Sequence, residues 1–156
     1  MIMIESAQGK ISDIMALRIP PGEDVLESII NVCKKNSITN GVIMSALGSW
    51  KKAAFCNPTD LPDGKVGYGA PTVLQEGYYE LVNLSGMICN DKDGNILPHI
   101  HLTISDEQGN SYGGHMQSGC EVLITTDIVI GIFNGIVMGR RFDDELGVPL
   151  FAPKSA

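Results

Sequence analysis

Three histidines are present in this 156-residue sequence, and all of them fall in one short window: His99-Ile100-His101 and, after an expected reversal marked by Gly and Asn, Gly113-Gly114-His115.

 Imidazole nitrogen is a ligand for zinc and equally for copper, nickel, iron or cobalt. On a strand, residues two apart share a face, so His99 and His101 form a chelating pair while Ile100 and Leu102 face the other way. The stretch Asp106-Glu107-Gln108-Gly109-Asn110 carries the turn chemistry of a hairpin, and closing it with Ser105 opposite Ser111 places His115 directly across from His101. Opposed residues hold their Cβ atoms about 4.5–5.5 Å apart, and zinc-bound nitrogens sit about 2.0–2.1 Å from the metal, so the three rings reach one ion. A slip of one residue breaks the set, because it turns His115 to the opposite face.

Three histidines without a Cys or carboxylate at ligand spacing describe an open site, whose fourth position falls to water or a small-molecule ligand. Zinc is the first expectation for the divalent ion. Gly113 and Gly114 are expected to leave an open surface where a supporting group or ligand approaches the backbone. A metal-bound water is a nucleophile near neutral pH, but hydrolysis also needs a proton acceptor beside it. Glu80, Asp106, Glu107 and Glu121 qualify by chemistry alone, and nothing in their spacing ranks them, so substrate and reaction stay open. Arg18 and Glu80 are charged residues within strand-like stretches, which fits an edge position or an ion pair as well as a role at the site or at an interface.

The elements that must position these groups follow from periodicity. Residues 12–19 read as a strand stopped by Pro20-Pro21. From Glu23 the apolar residues Val25, Leu26, Ile29, Ile30, Val32 and Cys33 recur at helical spacing. Glu23 and Asp24 lie in the first turn, Lys34 and Lys35 in the last, and the helix stops near Asn36. Strands are expected over 42–47, 51–56, 78–89, 96–105, 111–116 and 122–133, with tight reversals at 91–95 and 106–110. Residues 57–75, rich in Pro and Gly, read as a long irregular loop of the kind that often carries function. The segment 140–146, with Arg140-Arg141 and the acidic run behind it, reads as solvated or facing another subunit. One helix followed by many strands without further alternation gives an α+β fold, a mostly antiparallel sheet flanked by one main helix. No repeat or linker divides the chain, so residues 1–156 are expected to form a single domain.

Composition narrows the partners. Eleven Lys and Arg against eighteen Asp and Glu give a formal net charge of -7, which disfavours binding to phosphate backbones over the whole surface. The apolar stretch from Ile128 to Met138 is broken by Gly131, Asn134 and Gly135 and is shorter than a membrane span, so it reads as buried strand. The first ten residues lack the pattern of a secretory signal. Cys33, Cys56, Cys89 and Cys120 form no CxxC pair, which argues against a zinc ribbon or dithiol centre; they read as small buried hydrophobes in a reducing cytoplasm.

Four stretches together resemble the plants and prokaryotes conserved (PPC) domain family: RIPPGEDV at 18–25, SALGS at 45–49, GYYELVNLSG at 77–86 and HIHLTISDEQGNSYGGHM at 99–116. The resemblance implies a PPC-like α+β domain assembled as a homotrimer. It also implies a divalent-metal role for His99, His101 and His115, the positions that match the histidines of prokaryotic stand-alone members. Plant members carry an AT-hook, a basic arm that enters the minor groove, and this sequence has no such arm. Tyr78 stands where the plant protein-contact motif has Arg. Three readings follow: a cytoplasmic, homotrimeric metal-binding protein with a small-molecule or catalytic role, a DNA-associated or regulatory protein whose histidines are incidental, and a trimeric scaffold in which the metal only staples the hairpin. The first loses stoichiometric metal in His99→Ala; the second shows salt-sensitive duplex binding that this change leaves intact.

Overall fold

The computed structural model describes residues 4–144 and 146–156. Residues 1–3, part of the segment read as lacking a signal, and Glu145, part of the acidic run, lie outside the described residues. The elements in chain order are β1 (Lys10–Ile19), α1 (Val25–Lys35), β2 (Gly41–Cys56), β3 (Pro58–Asp60), β4 (Val66–Tyr68), β5 (Thr72–Leu74), β6 (Tyr79–Ile88), β7 (His99–Ser105), β8 (Ser111–Met116), β9 (Glu121–Asn134), β10 (Ile136–Asp143) and β11 (Val148–Ser155). The fold is α+β, with a mostly antiparallel sheet and one helix. That helix is too short to cross a membrane.

Hydrogen bonding orders the main sheet β1-β9-β2-β6-β7-β8. β2 is long enough to serve twice. Its first part lies between β9 and β6, and its last residues pair with β8, Phe55 opposite Met116 and Cys56 opposite His115. Strands β2, β6, β7 and β8 therefore close into a ring, which covers the end of the edge that β8 would otherwise present. Register shifts around Trp50 re-aim β2 so that it can bend from one partner to the next. The sequence pattern separates 42–47 from 51–56 because the bulges interrupt its alternation there, yet the backbone ladder runs through.

The core fills this ring and continues under α1. Val25, Ile29 and Cys33 of the helix are fully buried with Trp50, Ile88, Ile104 and Ile130. Their 3.6-residue and two-residue spacings meet here, which is why the helix must pack on the sheet. Trp50 Nε1 donates to Thr126 Oγ1 at 2.8 Å, so the two polar groups inside the core satisfy each other. Asp24 caps α1, accepting from Glu27 N at 2.9 Å, and its second oxygen accepts from Gly119 N at 2.6 Å, tying the helix start to the chain after β8. Asp24 is thus a cap rather than a first-turn residue.

Two sequence expectations need correction. Residues 57–75 are not an irregular loop throughout: β3 pairs with β4, and β5 adds to β2. Local Pro and Gly content hid these strands because each is three residues long and lacks a detectable alternation. The described part of the segment 140–146 is strand and turn rather than a free tail, though Arg141, Phe142, Asp144 and Leu146 are exposed, as a solvated segment would be. β10 and β11 form a hairpin in which Arg140 pairs with Phe151 and Phe142 with Pro149. It is held to the body by Asn90, whose N–H donates to Met138 O at 3.0 Å and whose carbonyl accepts from Arg140 N at 2.7 Å.

The two reversals use one recipe. In each, an Asp accepts hydrogen bonds from backbone N–H groups ahead of it and from the Asn four residues on, and a Gly takes positive φ: Asp91, Gly94 and Asn95 in one, Asp106, Gly109 and Asn110 in the other. Gly109 sits at φ +82° with open space where a Cβ would be, so substitution there is a backbone test alone. Gly109→Ala is expected to destabilise the protein by about 1 kcal/mol through left-handed strain, with Gly109→Asn costing less. Denaturant unfolding of the two variants checks this, and equal stability of wild type and Gly109→Ala would contradict it.

Candidate metal centre

His99 and His101 lie on β7, and their neighbours in the ladder are Met87 and Ser85 of β6. His115 lies on β8. Asp106 sets the pairing between these two strands: it accepts from Gln108 N, Asn110 N, Asn110 Nδ2 and Tyr112 Oη at 2.8–3.0 Å. These donors, the Asn110 side chain foremost, hold the Asp106 carboxyl below its ordinary pKa. Ser105 then faces Ser111, and His101 faces His115. Ile100, Leu102 and Ile104 point into the core, which fixes the opposite face for the histidines.

The three rings converge. Their centroids are 5.1 Å apart for His99 and His101, 4.9 Å for His99 and His115, and 5.4 Å for His101 and His115. One ligand nitrogen from each falls within 4.8 Å of the other two. His99 Nε2 and His101 Nε2 are 3.2 Å apart. Two nitrogens bonded tetrahedrally to zinc at about 2.0–2.1 Å are separated by about 3.4 Å, so this spacing fits a shared ion. His115 Nδ1 is buried and has no hydrogen-bond partner among the described residues. An unpaired buried nitrogen on a ring packed against two other imidazoles fits a donor set that a divalent cation would satisfy.

Electrostatics favour the neutral, ligating form. Burial first, then His99, His101 and Arg140, push His115 down to about 4. Burial, then Arg140 and His101, also lower His99. No carboxylate borders the cavity of about 350 Å³ that opens beside His99 and His115, among the described residues. Its walls include Tyr68, whose ring centroid lies 5.2 Å from that of His115, and Arg140 with Leu150 and Phe151 of the C-terminal hairpin.

The four carboxylates singled out from the sequence are elsewhere. Glu80 is exposed and pairs with Ser105, four residues along β7 from His101, roughly 13 Å at about 3.3 Å per residue. Asp106 and Glu107 occupy the hairpin turn, and Glu121 is engaged by Lys51 at 2.6 Å and Lys52 at 3.5 Å. Arg18 lies on β1 opposite Asp127 of β9, with β2 and β6 between it and β7. Gly113 and Gly114 do not leave an open surface. A Cβ on Gly113 would meet the Leu102 carbonyl, and one on Gly114 the Cys56 carbonyl at 2.7 Å and Asn57 Oδ1 at 2.5 Å. The glycines admit close strand approach, and Asn57 Nδ2 donates to the Gly113 carbonyl at 3.2 Å.

Arg140 and Tyr68 are the residues that sequence reasoning missed. Arg140 was hidden in an apparently charged tail, although the alternation Met138-Arg140-Phe142 followed by Gly147 and an apolar run is the signal of a hairpin. Tyr68 carries no comparable signal, since β4 is too short. All four cysteines are buried free thiols, and burial raises the pKa of each, Cys33 and Cys89 to about 11 and Cys120 to about 12.

The model of the Plants and Prokaryotes Conserved (PCC) domain matches residues 6–134. The bifunctional protein GlmU of Synechococcus sp. (strain JA-3-3Ab) is 31% identical over 114 residues, 73% of this chain and 16% of that protein. The chain thus spans about a sixth of the length of this curated relative. Among solved structures, the metal-containing protein of Archaeoglobus fulgidus aligns with TM-score 0.82 at 24% identity, over 95% of this chain and 99% of that one. A plant- and prokaryote-conserved protein of Pyrococcus horikoshii aligns with TM-score 0.80 at 24% identity, over 95% and 96%. At these identities the two structures bear on the fold alone.

A depressed His115 ties stability to pH. Its folded pKa of about 4 lies below the unfolded value of about 6.5. Between these values the unfolded chain binds the extra proton, so its contribution to stability is present above about 6.5 and is lost as pH falls toward 4. In protein stripped of metal by EDTA, the melting temperature is expected to fall more steeply from pH 7 to pH 4.5 in the wild type than in His115→Gln. Parallel slopes would contradict the depressed pKa.

Proposed function

The chain belongs to the plants and prokaryotes conserved domain family, and from that premise we propose that it is a cytoplasmic, homotrimeric protein holding one divalent ion per chain, zinc first, through His99, His101 and His115. The observation that carries the reading is the β7–β8 register: it brings three imidazoles, the only histidines in the sequence, to one point, where His115 Nδ1 has no partner among the described residues. The metal would supply Lewis acidity and an open coordination position. The chain's own residues supply three imidazole donors, a partly enclosed cavity and a nearby cation, Arg140. The absence of a carboxylate from that cavity's described lining favours ligand binding at the metal over hydrolysis by a neighbouring general base. The Archaeoglobus protein's description as metal-containing agrees with this reading.

Assembly is supported by the outward face of the sheet. Leu47, 65% exposed, pairs directly with Asp127, which in turn pairs with Arg18, so the three share one face. Ile14, Met44 and Val82 are also exposed on β1, β2 and β6. Apolar residues on the solvent side of a sheet mark a surface that another subunit covers. The shared face with Leu47 supports a role for Arg18 at such an interface over one at the metal.

Elemental analysis of the untagged protein, with its solution mass, tests both halves. About one metal per chain in a trimer is expected, with metal lost in the His99→Ala/His101→Ala/His115→Ala variant and the mass reduced to that of a monomer in Leu47→Asp. Metal retained without the three histidines would overturn the site. A monomeric wild type would overturn the assembly.

A further inference from the structure

Arg140 is the one cation that borders the histidine cavity among the described residues. It is positioned from several directions. Its backbone N–H donates to Asn90 O, its Nη2 donates to Pro149 O at 2.9 Å, and its Nη1 lies 3.5 Å from the carbonyl of Pro98, the residue before His99. Its Nε is buried and makes no hydrogen bond among the described residues. The described salt bridges include none to Arg140, so backbone carbonyls orient the guanidinium without neutralising it. A guanidinium has five donors in a fixed fork, and two terminal N–H groups remain after these two contacts. A partly buried charge with no counter-ion costs free energy, and a fold that holds it rigidly beside a cavity leaves the counter-ion to come from outside.

The rest of the cavity describes that ion. At about 350 Å³ it lies at the small end of ligand pockets. Phe151 stands directly opposite Arg140 in the β10–β11 ladder, and Tyr68 and Leu150 extend the same lining. One guanidinium against largely apolar and aromatic walls, with the Gln117 amide nitrogen already donating to Cys56 Sγ and the Met116 carbonyl, suits a single planar anionic group on an apolar body. A phosphate would leave most of its oxygens without donors. We propose that the cavity between His99 and His115 on one side and the C-terminal hairpin on the other binds a small organic carboxylate. Its anionic group is gripped by Arg140 and directed at the metal position, and its apolar body lies against Tyr68, Leu150 and Phe151. The inference rests on the metal reading for the second contact and on Arg140 alone for the first.

The test is calorimetric titration of the zinc-loaded protein with benzoate, benzamide, acetate and inorganic phosphate, with zinc content measured for every sample. Benzoate is expected to bind at least tenfold more tightly than benzamide, its neutral isostere. Arg140→Met is expected to weaken benzoate at least tenfold with zinc content unchanged, and Arg140→Lys to weaken it less. Phe151→Ala, which leaves the guanidinium in place, is expected to weaken benzoate more than acetate. No benzoate binding, equal binding of benzamide, undiminished binding in folded Arg140→Met, or a preference for phosphate overturns the proposal while leaving the metal reading intact. A wild type that takes up no zinc overturns the metal reading instead. Benzoate titration of that metal-free protein then decides the Arg140 contact, since binding that is lost in Arg140→Met supports it and no binding overturns it.

Discussion

The pairing of β7 with β8 is the constraint on which the candidate site depends, and one carboxylate sets it. Asp106 gathers four donors across a five-residue turn, and Gly109 supplies the left-handed backbone conformation that lets the turn close. Because a strand alternates faces, the closure that puts Ser105 against Ser111 also decides that His101 meets His115. The buried faces of Ile100, Leu102 and Ile104 enforce the same register from the core side. A slip would bury imidazoles and expose these apolar side chains, so folding and site assembly share a driving force.

A second layer of organisation comes from chain segments distant in sequence. The bent β2 closes the ring by pairing Cys56 with His115, and the β10–β11 hairpin then roofs the opening. Asn90 holds that hairpin through backbone bonds to Met138 and Arg140, while Asn40 Oδ1 accepts from Met138 N at 2.6 Å. The arginine therefore reaches the cavity from a rigid ladder rather than from a free tail. The close strand contacts at Gly113 and Gly114 belong to the same design, because a side chain at either position would push β8 away from β7 or β2.

The electrostatic character of the cavity follows. Burial and a neighbouring guanidinium hold His99 and His115 toward the neutral form, and the three imidazoles together make a set of cation ligands that adds no negative charge. Acidic residues dominate the whole surface, with a net charge of -7, but those tested as proton acceptors lie in turns, ion pairs or on the far part of the sheet. A cation at the histidines would thus stand beside Arg140 in a region short of compensating charge. Such a site attracts anions.

The sequence by itself determined the local facts. The helix and its end near Asn36, the two Asp-to-Asn turns, the histidine pair on one strand and the register that adds His115 were all legible, because each depends on residues within a few positions or across one tight hairpin. The family was legible for the same reason, since its motifs lie in these local elements. Only the tertiary structure decided which charged groups face the cavity. Glu80, Asp106, Glu107 and Glu121 were chemically eligible and are placed elsewhere, while Arg140 and Tyr68 arrive through β10 and β4. Their approach depends on long-range pairings, Asn90 with Gly139 and Cys56 with His115, that carry no periodic signature along the chain. Gly113 and Gly114 show the same division: the sequence marked a place where backbone is approached, and the structure decided that the approaching groups are the protein's own strands.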